Sequence, residues 1–533
     1  MNETDPSPRW TRAERLQLAA LAGGLLASLP FYVAARFDAT DVDASMYIVL
    51  ARSLARGEGY RYLGSPFILH PPGMAALLAP IVGTAGARIA ALNLFGCLCG
   101  AAAVLLLFVH QRARVGGALA LLTAACLWLD PGFRLQCNRV LSDVPGLALL
   151  LLCLILERRA ARARLLRSEL ALGLVIGLSA YVRFANILIL PAILAARTIE
   201  RVRTETPAES WPRFLARRAA PCALAAIAVV APWSLRNAAL APPPPADQTQ
   251  LYTISTAMWH TDPGDPRSPR FSLGEILARP RGTARPIAAA LGSGLQSPSM
   301  DEPPSPVAGR AWASLAGLLG ICLLAVLIRR RAAAPEIYAF GMTLFFLFYF
   351  TFATRLALPI YAIGLAAVFD TAGSALRRFL PARPALVVAG AGALAALFIV
   401  SNLATRGPRV DLDARHREDL AIAAAVGPLI APEDRLASSR GPRWSVYLDR
   451  PVYNLRHAVR RAGRADAVET IIDTYGIDAV LLRPADPDDR PLARYFRDTY
   501  GPGIPAASGL LWRLPPRAQP TARNAGAYPQ KGS

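Results

Sequence analysis

The stretch FDATDVDASMYIVLARSLARGEGYRYLGSPFILHPPG, residues 37–73, lies between hydrophobic segments and decides how the chain is read. It opens with Asp38, Asp41 and Asp43 within six positions. Carboxylates beside a membrane are costly unless solvated, paired or functional. After Asp43, Tyr47, Leu50, Ala51 and Leu54 recur at i, i+3, i+4 and i+7, which predicts one apolar helix face over Ala44 to Arg56, stopped at Gly57. Such a helix suits a surface-lying support beside a bilayer. Asp41 or Asp43 serves as a helix cap, as a site carboxylate, or as both. His70-Pro71-Pro72-Gly73 breaks regular structure because proline fixes φ, so the segment is a rigid turn with or without a site-shaping role.

Outward from this stretch, the chain alternates apolar blocks with arginine clusters. Of its 533 residues, 54% are hydrophobic and only 18% charged, too apolar for an ordinary soluble protein. The net charge of +21 sits mostly between hydrophobic blocks, where orientation and anionic headgroups account for it. No basic, aromatic-interleaved region is visible, so nucleic acid is excluded as a partner. Lys531 is the only lysine, so a phosphate clamp here must rely on arginine, histidine or backbone N–H groups. The seven cysteines show no metal-ligand spacing and read as apolar packing.

The arginine clusters set a topology. Residues 1–17 form a cytoplasmic head, and 18–405 a membrane domain of about eleven spans. Two outer loops, 36–84 and 238–307, face the other side. Residues 170–197 could form one tilted helix or two short ones meeting at Arg183, and the Arg-rich flanks on both sides, which place both ends in the cytoplasm, favour two short helices. Residues 406–515 turn soluble, with strand-like pieces at Arg435 to Ser438, Asp478 to Leu482 and Leu510 to Leu514, which suggests a small extracytoplasmic α/β domain. Residues 516–533 read as a disordered tail.

The pieces DVDASMYIVLARSLARGEGY, HPPGMAALLAP, NRVLSDVPGLALLLLCLIL, GLVIGLSAYVRFANILILPAIL, APWSLRNAAL and TRLALPIYAI cover roughly residues 20–405 in order. Together they resemble the polytopic C-type glycosyltransferase superfamily, in the branch of bacterial relatives of dolichyl-phosphate-mannose protein mannosyltransferases. The resemblance implies a bacterial inner-membrane enzyme. It would move a sugar from a polyprenyl-phosphate donor to a lipid, glycan or protein acceptor on the extracytoplasmic face. A first-loop carboxylate would be the general base, Asp43 first and Asp41 second. Arg183, Arg236 and Arg355, at expected outer span ends, are candidates for the donor phosphate, beside a plain reading as interfacial arginines. His70, Tyr47, His260 and Asp143 are the expected substrate contacts; Asp143 also reads as a cap and His260 as a surface residue. No metal ligand set is assigned, and no cofactor beyond a divalent metal, which is left open. The rival reading is a polytopic transporter or flippase for a lipid-linked or small substrate, but no internal repeat is seen.

Overall fold

A computed structural model describes residues 10–37, 42–163, 165–203, 210–240, 254–262, 268–293, 295, 306–329, 333–349, 353–404, 412–455, 465–487 and 489–515. Asp38 and Asp41 lie outside these residues.

The first helix, α1 (Arg12–Tyr32), starts at a capping box in which Thr11 and Glu14 satisfy each other's backbone N–H groups. The acidic stretch follows. Asn93 donates to the carbonyls of Ala34 (2.7 Å) and Arg36 (2.9 Å), and the Ala34 N–H donates to Asn138, so the entry to this loop is held by two asparagines. Then come α2 (Val42–Ala55), a two-residue hairpin of β1 (Arg61–Tyr62) and β2 (Ser65–Pro66), and α3 (Gly73–Ala85). Gly57, at φ 76°, ends the α2 segment in a conformation that favours glycine. Helix α2 is not a free surface helix. It packs on α3 and on a C-terminal helix, so its predicted apolar face is covered by protein.

The bundle continues with α4 (Ile89–Val115), α5 (Gly117–Leu129), α6 (Pro131–Cys137) and α7 (Asp143–Ala163). Helices α5 and α6 meet at a 65° bend where Asp130 caps α6, accepting from the N–H groups of Gly132 and Phe133. Helix α8 (Leu166–Val182) stops at Arg183, whose extended backbone leads through a 3-10 turn into α9 (Ile189–Arg203). The break expected at Arg183 is therefore present. Next are α10 (Trp211–Phe214) and α11 (Ala220–Ala239).

The described part of residues 238–307, expected as an outer loop, is more structured than its proline content suggests. These residues hold α12 (Ile254–Trp259) and α13 (Leu273–Gly292), the latter opened by a Ser272/Glu275 capping box and packed on the two helices that follow. Those are α14 (Pro306–Arg329) and α15 (Ala334–Phe348); α16 (Leu358–Phe379) and α17 (Pro384–Ala404) complete the bundle. Among the described residues, three helices are long and apolar enough to cross a membrane, or four if the bent α5–α6 pair is one span. That is fewer than the expected eleven. Several apolar helices, such as α15, fall short of span length, and the break at Arg183 divides another.

The C-terminal part contains α18 (Leu412–Val426), β3 (Leu436–Ser438), α19 (Gly441–Tyr447), β4 (Val452–Asn454), α20 (Ala465–Tyr475), β5 (Ala479–Leu482), α21 (Arg490–Tyr500), β6 (Ile504–Ala506) and β7 (Gly509–Arg513). The sheet order is β4-β3-β5-β7-β6; β4, β3 and β5 run parallel, while β7 and β6 are antiparallel additions. Helix α19 docks on α2: Val446 joins the apolar cluster around it, and Arg52 donates to the Ser445 carbonyl at 3.0 Å.

Candidate active site

Two carboxylates start two helices. Asp43 lies in the first turn of α2 and Asp143 in the first turn of α7, where a helix's exposed N–H groups favour negative charge. Arg355, in the 3-10 turn Thr354–Ala357 ahead of α16, reaches both. One terminal nitrogen pairs with Asp43 and the other donates to Asp143 at 3.2 Å. Arg183 pairs with the other oxygen of Asp143, and His70 Nε2 stands 3.4 Å from Asp43 Oδ1. The result is a continuous chain, His70–Asp43–Arg355–Asp143–Arg183, drawn from five separate parts of the sequence.

The chain is graded in depth. The Asp143 side chain is 0% exposed and Arg183 5%, whereas Arg355 is 14% and Asp43 27% exposed. Arg183 is held by a close approach: a Cβ on Gly146 would lie 2.8 Å from its Cδ, so α7 admits the arginine stem only where the side chain is missing. Asn186 braces the same corner by donating to the Gly146 carbonyl (2.8 Å) and Ser179 Oγ (2.7 Å). Two buried Arg183 donors, Nε and Nη2, find no hydrogen-bond partner among the described residues, which is costly unless something else meets them. Burial would raise the Asp43 pKa, but Arg355 and then His70 outweigh it and hold the carboxyl well below the ordinary carboxylate range.

The loop bearing His70 is pinned from several sides. Tyr60 donates to the His70 carbonyl at 3.0 Å. Arg236 donates to the Phe67 carbonyl at 3.0 Å and Asn237 to that of Ile68 at 3.2 Å. Gly73 lets α3 begin against α8, since a Cβ there would come within 2.5 Å of the Tyr181 carbonyl. The ring of Tyr47 lies 5.7 Å from that of His70, and its hydroxyl donates to Ser142 at 3.2 Å.

Of the residues expected from sequence, Asp43, His70, Tyr47, Asp143, Arg183 and Arg355 come together. Arg236 does not join the charge chain; it spends its donors on the backbone ahead of His70 and on Asn237. His260 is not brought to this chain, and its ring meets the Ser268 carbonyl at 2.8 Å instead. Asp41 lies outside the described residues. Tyr349 was not anticipated: it ends α15 close enough to Asp43 and Arg355 to feel both charges, but its place in the run FFLFYF carries no polar signal. Among the described residues no group of three or more His, Cys, Asp or Glu is placed to hold a metal ion.

Residues 69–234 match the family model described as Dolichyl-phosphate-mannose-protein mannosyltransferase. The match takes in His70, Asp143 and Arg183. Over nearly the whole chain, the structure is similar to ArnT from Cupriavidus metallidurans bound to undecaprenyl phosphate, with a TM-score of 0.59 at 14% identity, covering 93% of this chain and 97% of that one. The fold is that of the C-type glycosyltransferases. An Archaeoglobus fulgidus oligosaccharyltransferase tethered with an acceptor peptide shares this C-type fold, with a TM-score of 0.50 and 14% identity over 88% of this chain and 68% of that one. No curated protein matches the chain. At these identities the likeness speaks for the C-type fold, and what the site does must be argued from its own residues.

Proposed function

We propose that this chain is an integral-membrane glycosyltransferase. It moves a sugar from a polyprenyl-phosphate donor to a lipid, glycan or protein acceptor of the bacterial envelope. The observation that carries the reading is the charge chain, with a carboxylate at its open end and guanidiniums leading inward. Transfer needs two things of the protein. The acceptor hydroxyl must lose its proton as its oxygen bonds to the anomeric carbon, and the phosphate leaving as the old C–O bond breaks must have its charge met. Asp43 supplies the base and takes that proton. Arg355 and Arg183 supply the donors for the phosphate, and Arg183 has two to spare. His70 and Tyr47 wall the sugar side, and Arg236 sets the His70 loop. Asp41 stands as the second candidate base.

In this reading the chain crosses the inner membrane about eleven times, and the outer stretches 36–84 and 238–307 face away from the cytoplasm. Residues 406–515 lie on the same side as the site, in keeping with the packing of α19 on α2. The test uses the full chain in lipid nanodiscs with radiolabelled polyprenyl-phosphate sugars, alongside envelope lipids and glycans from a strain lacking the protein. Label should move to an acceptor, and the strain should accumulate the donor or a glycan short by one sugar. Movement of intact donor across vesicles, without transfer and insensitive to Asp43→Asn, would replace this reading with a flippase.

A further inference from the structure

Arg355 holds the carboxylate that the reaction needs as a base. A carboxylate paired with a guanidinium is a weak proton acceptor, so the arrangement as it stands is a closed one. The two arginines of the chain differ in how freely they can change partners. Arg183 is nearly sealed, its stem lies against Gly146, and its partner Asp143 is fully buried. Arg355 sits on a short turn nearer the mouth, is more exposed, and is shared between two carboxylates. If it leaves Asp43, Asp143 still has Arg183, so no buried carboxylate is stranded.

We propose that Arg355 is a donor-sensing positioning residue: the phosphate of the lipid-linked sugar draws its guanidinium from Asp43, so the base is released only once the donor is bound. This rests on the glycosyltransferase reading above. Its use is to prevent acceptor activation in an empty site, where no sugar can be transferred. The described groups around Asp43 include His70 from the loop before α3, Arg355 from the turn before α16, Tyr47 on its own helix and Tyr349 after α15, with Asp143 on α7 across Arg355. At rest, two guanidiniums balance two carboxylates. An incoming phosphodiester adds one negative charge and removes the cation from Asp43, so the Asp43–His70 pair should take up a proton as the donor binds.

The experiment measures binding of a polyprenyl monophosphate to the full chain in nanodiscs by calorimetry, at mildly acidic pH in buffers of different ionisation enthalpy. Wild type should bind with proton uptake. Asp43→Asn should bind at similar or higher affinity with the uptake lost. In steady-state transfer, the acid limb of kcat should lie at higher pH than that of kcat/KM, because Asp43 is already free of Arg355 in the bound complex. In Arg355→Gln the two limbs should coincide at the higher pH, while KM for the donor rises more than tenfold. Binding without proton uptake, or uptake unchanged in Asp43→Asn, overturns the switch. Arg355→Gln lowering kcat and kcat/KM together without moving either limb shows a merely structural arginine and also overturns it. Failure of wild type to bind any polyprenyl phosphate overturns both the switch and the function it rests on, whereas binding and transfer without uptake leave the function standing.

Discussion

Helix α15 carries a charge cluster at each end, and the two clusters behave differently. After its C-terminus, Arg355 links Asp43 and Asp143 in the candidate site. At its N-terminus, Glu336 pairs with Arg114 of α4 at 2.5 Å, Arg114 lies 3.6 Å from Asp370 of α16, and Arg329 reaches Asp370 at 2.5 Å. About 22 Å of helix separates them. Both are arginine–carboxylate networks, so chemistry alone does not tell them apart. Exposure does. Among the described residues, both carboxylates of the N-terminal cluster, Glu336 and Asp370, are buried and it is a cation, Arg329, that reaches solvent, whereas the site cluster opens at a carboxylate, Asp43, and at His70. A network whose carboxylates are buried holds helices together and offers no base to a substrate. An open one can exchange a partner for a ligand.

The largest effect should come from the open end. Asp43→Asn keeps the shape of the side chain but removes the charge and the basicity. Sugar transfer should fall on the order of 10²–10⁴-fold. The thermal midpoint should move little, because Arg355 keeps Asp143. Initial-rate assays with melting curves on the same preparation check this, and full activity in the variant would move the base to Asp41. The sealed end should show the reverse. Arg114→Met leaves Glu336 buried without its cation and should cost about 3–5 kcal/mol of stability, with activity per folded molecule unchanged. A loss of activity without a loss of stability there would erase the distinction between the two clusters.

Carboxylates held by cations and carboxylates held by burial should also respond oppositely to pH. Asp43 is kept below the ordinary range by Arg355 and His70, so its contribution is full at neutral pH and is lost only on strong acidification. In the C-terminal sheet region, Asp489 follows β5 and accepts from Ser439 Oγ and, at 2.6 Å, from the Arg483 N–H. Burial nonetheless pushes its pKa up to about 6. The folded state then binds more protons than the unfolded one between about 4 and 6. Stability should therefore fall by up to about 3 kcal/mol as pH rises through that window. Melting curves of the full chain across pH, with Asp489→Asn as the variant expected to flatten the slope, test the sign.

Sequence alone reached the parts of this picture that are local. The break at Arg183 was legible because an arginine inside an apolar run of intermediate length forces a choice, and the α2 helix because its apolar residues share one face. What was not legible is long-range. Nothing near Asp43 signals that Arg355, 312 positions away, will pair with it, or that Asp143 will be shared by two arginines rather than spent on a cap. Helix α13 was hidden because Pro280 and Pro286 read as loop, while the Ser272/Glu275 capping box and the packing surfaces of α14 and α15 outweigh them. His260 was open to a substrate contact or a surface role because of its place in the expected second outer loop, and its ring meets a local carbonyl. The about eleven spans came from short apolar runs placed in order by the arginine clusters between them; helix length and hydropathy together single out three or four of the described helices, because several of those runs form helices too short to cross alone.

The smallest expected effect lies where the C-terminal part meets the end of the first helix. Arg36 and Asp413 approach to 2.7 Å, but their side chains are 32% and 54% exposed. In water the attraction is weak, and fixing two flexible side chains offsets much of it, so a double-mutant cycle should return about 0.2–1 kcal/mol, shrinking further in salt. The same two parts also meet through buried groups. Val446 packs into the α2 cluster, Phe37 lies edge-on to Tyr447 at 6.0 Å, and Tyr62 donates to the Val452 carbonyl at 3.4 Å. Apolar burial of this kind does not depend on ionic strength. Arg36→Ala should therefore leave both docking and transfer unchanged, whereas Val446→Asp, which forces a charge against α2, should loosen the C-terminal part and disturb the helix that carries Asp43. Limited proteolysis of the C-terminal part reads the docking, and transfer rate reads the helix. If Arg36→Ala had the larger effect on both, exposed pairing rather than burial would be what joins the sheet region to the site.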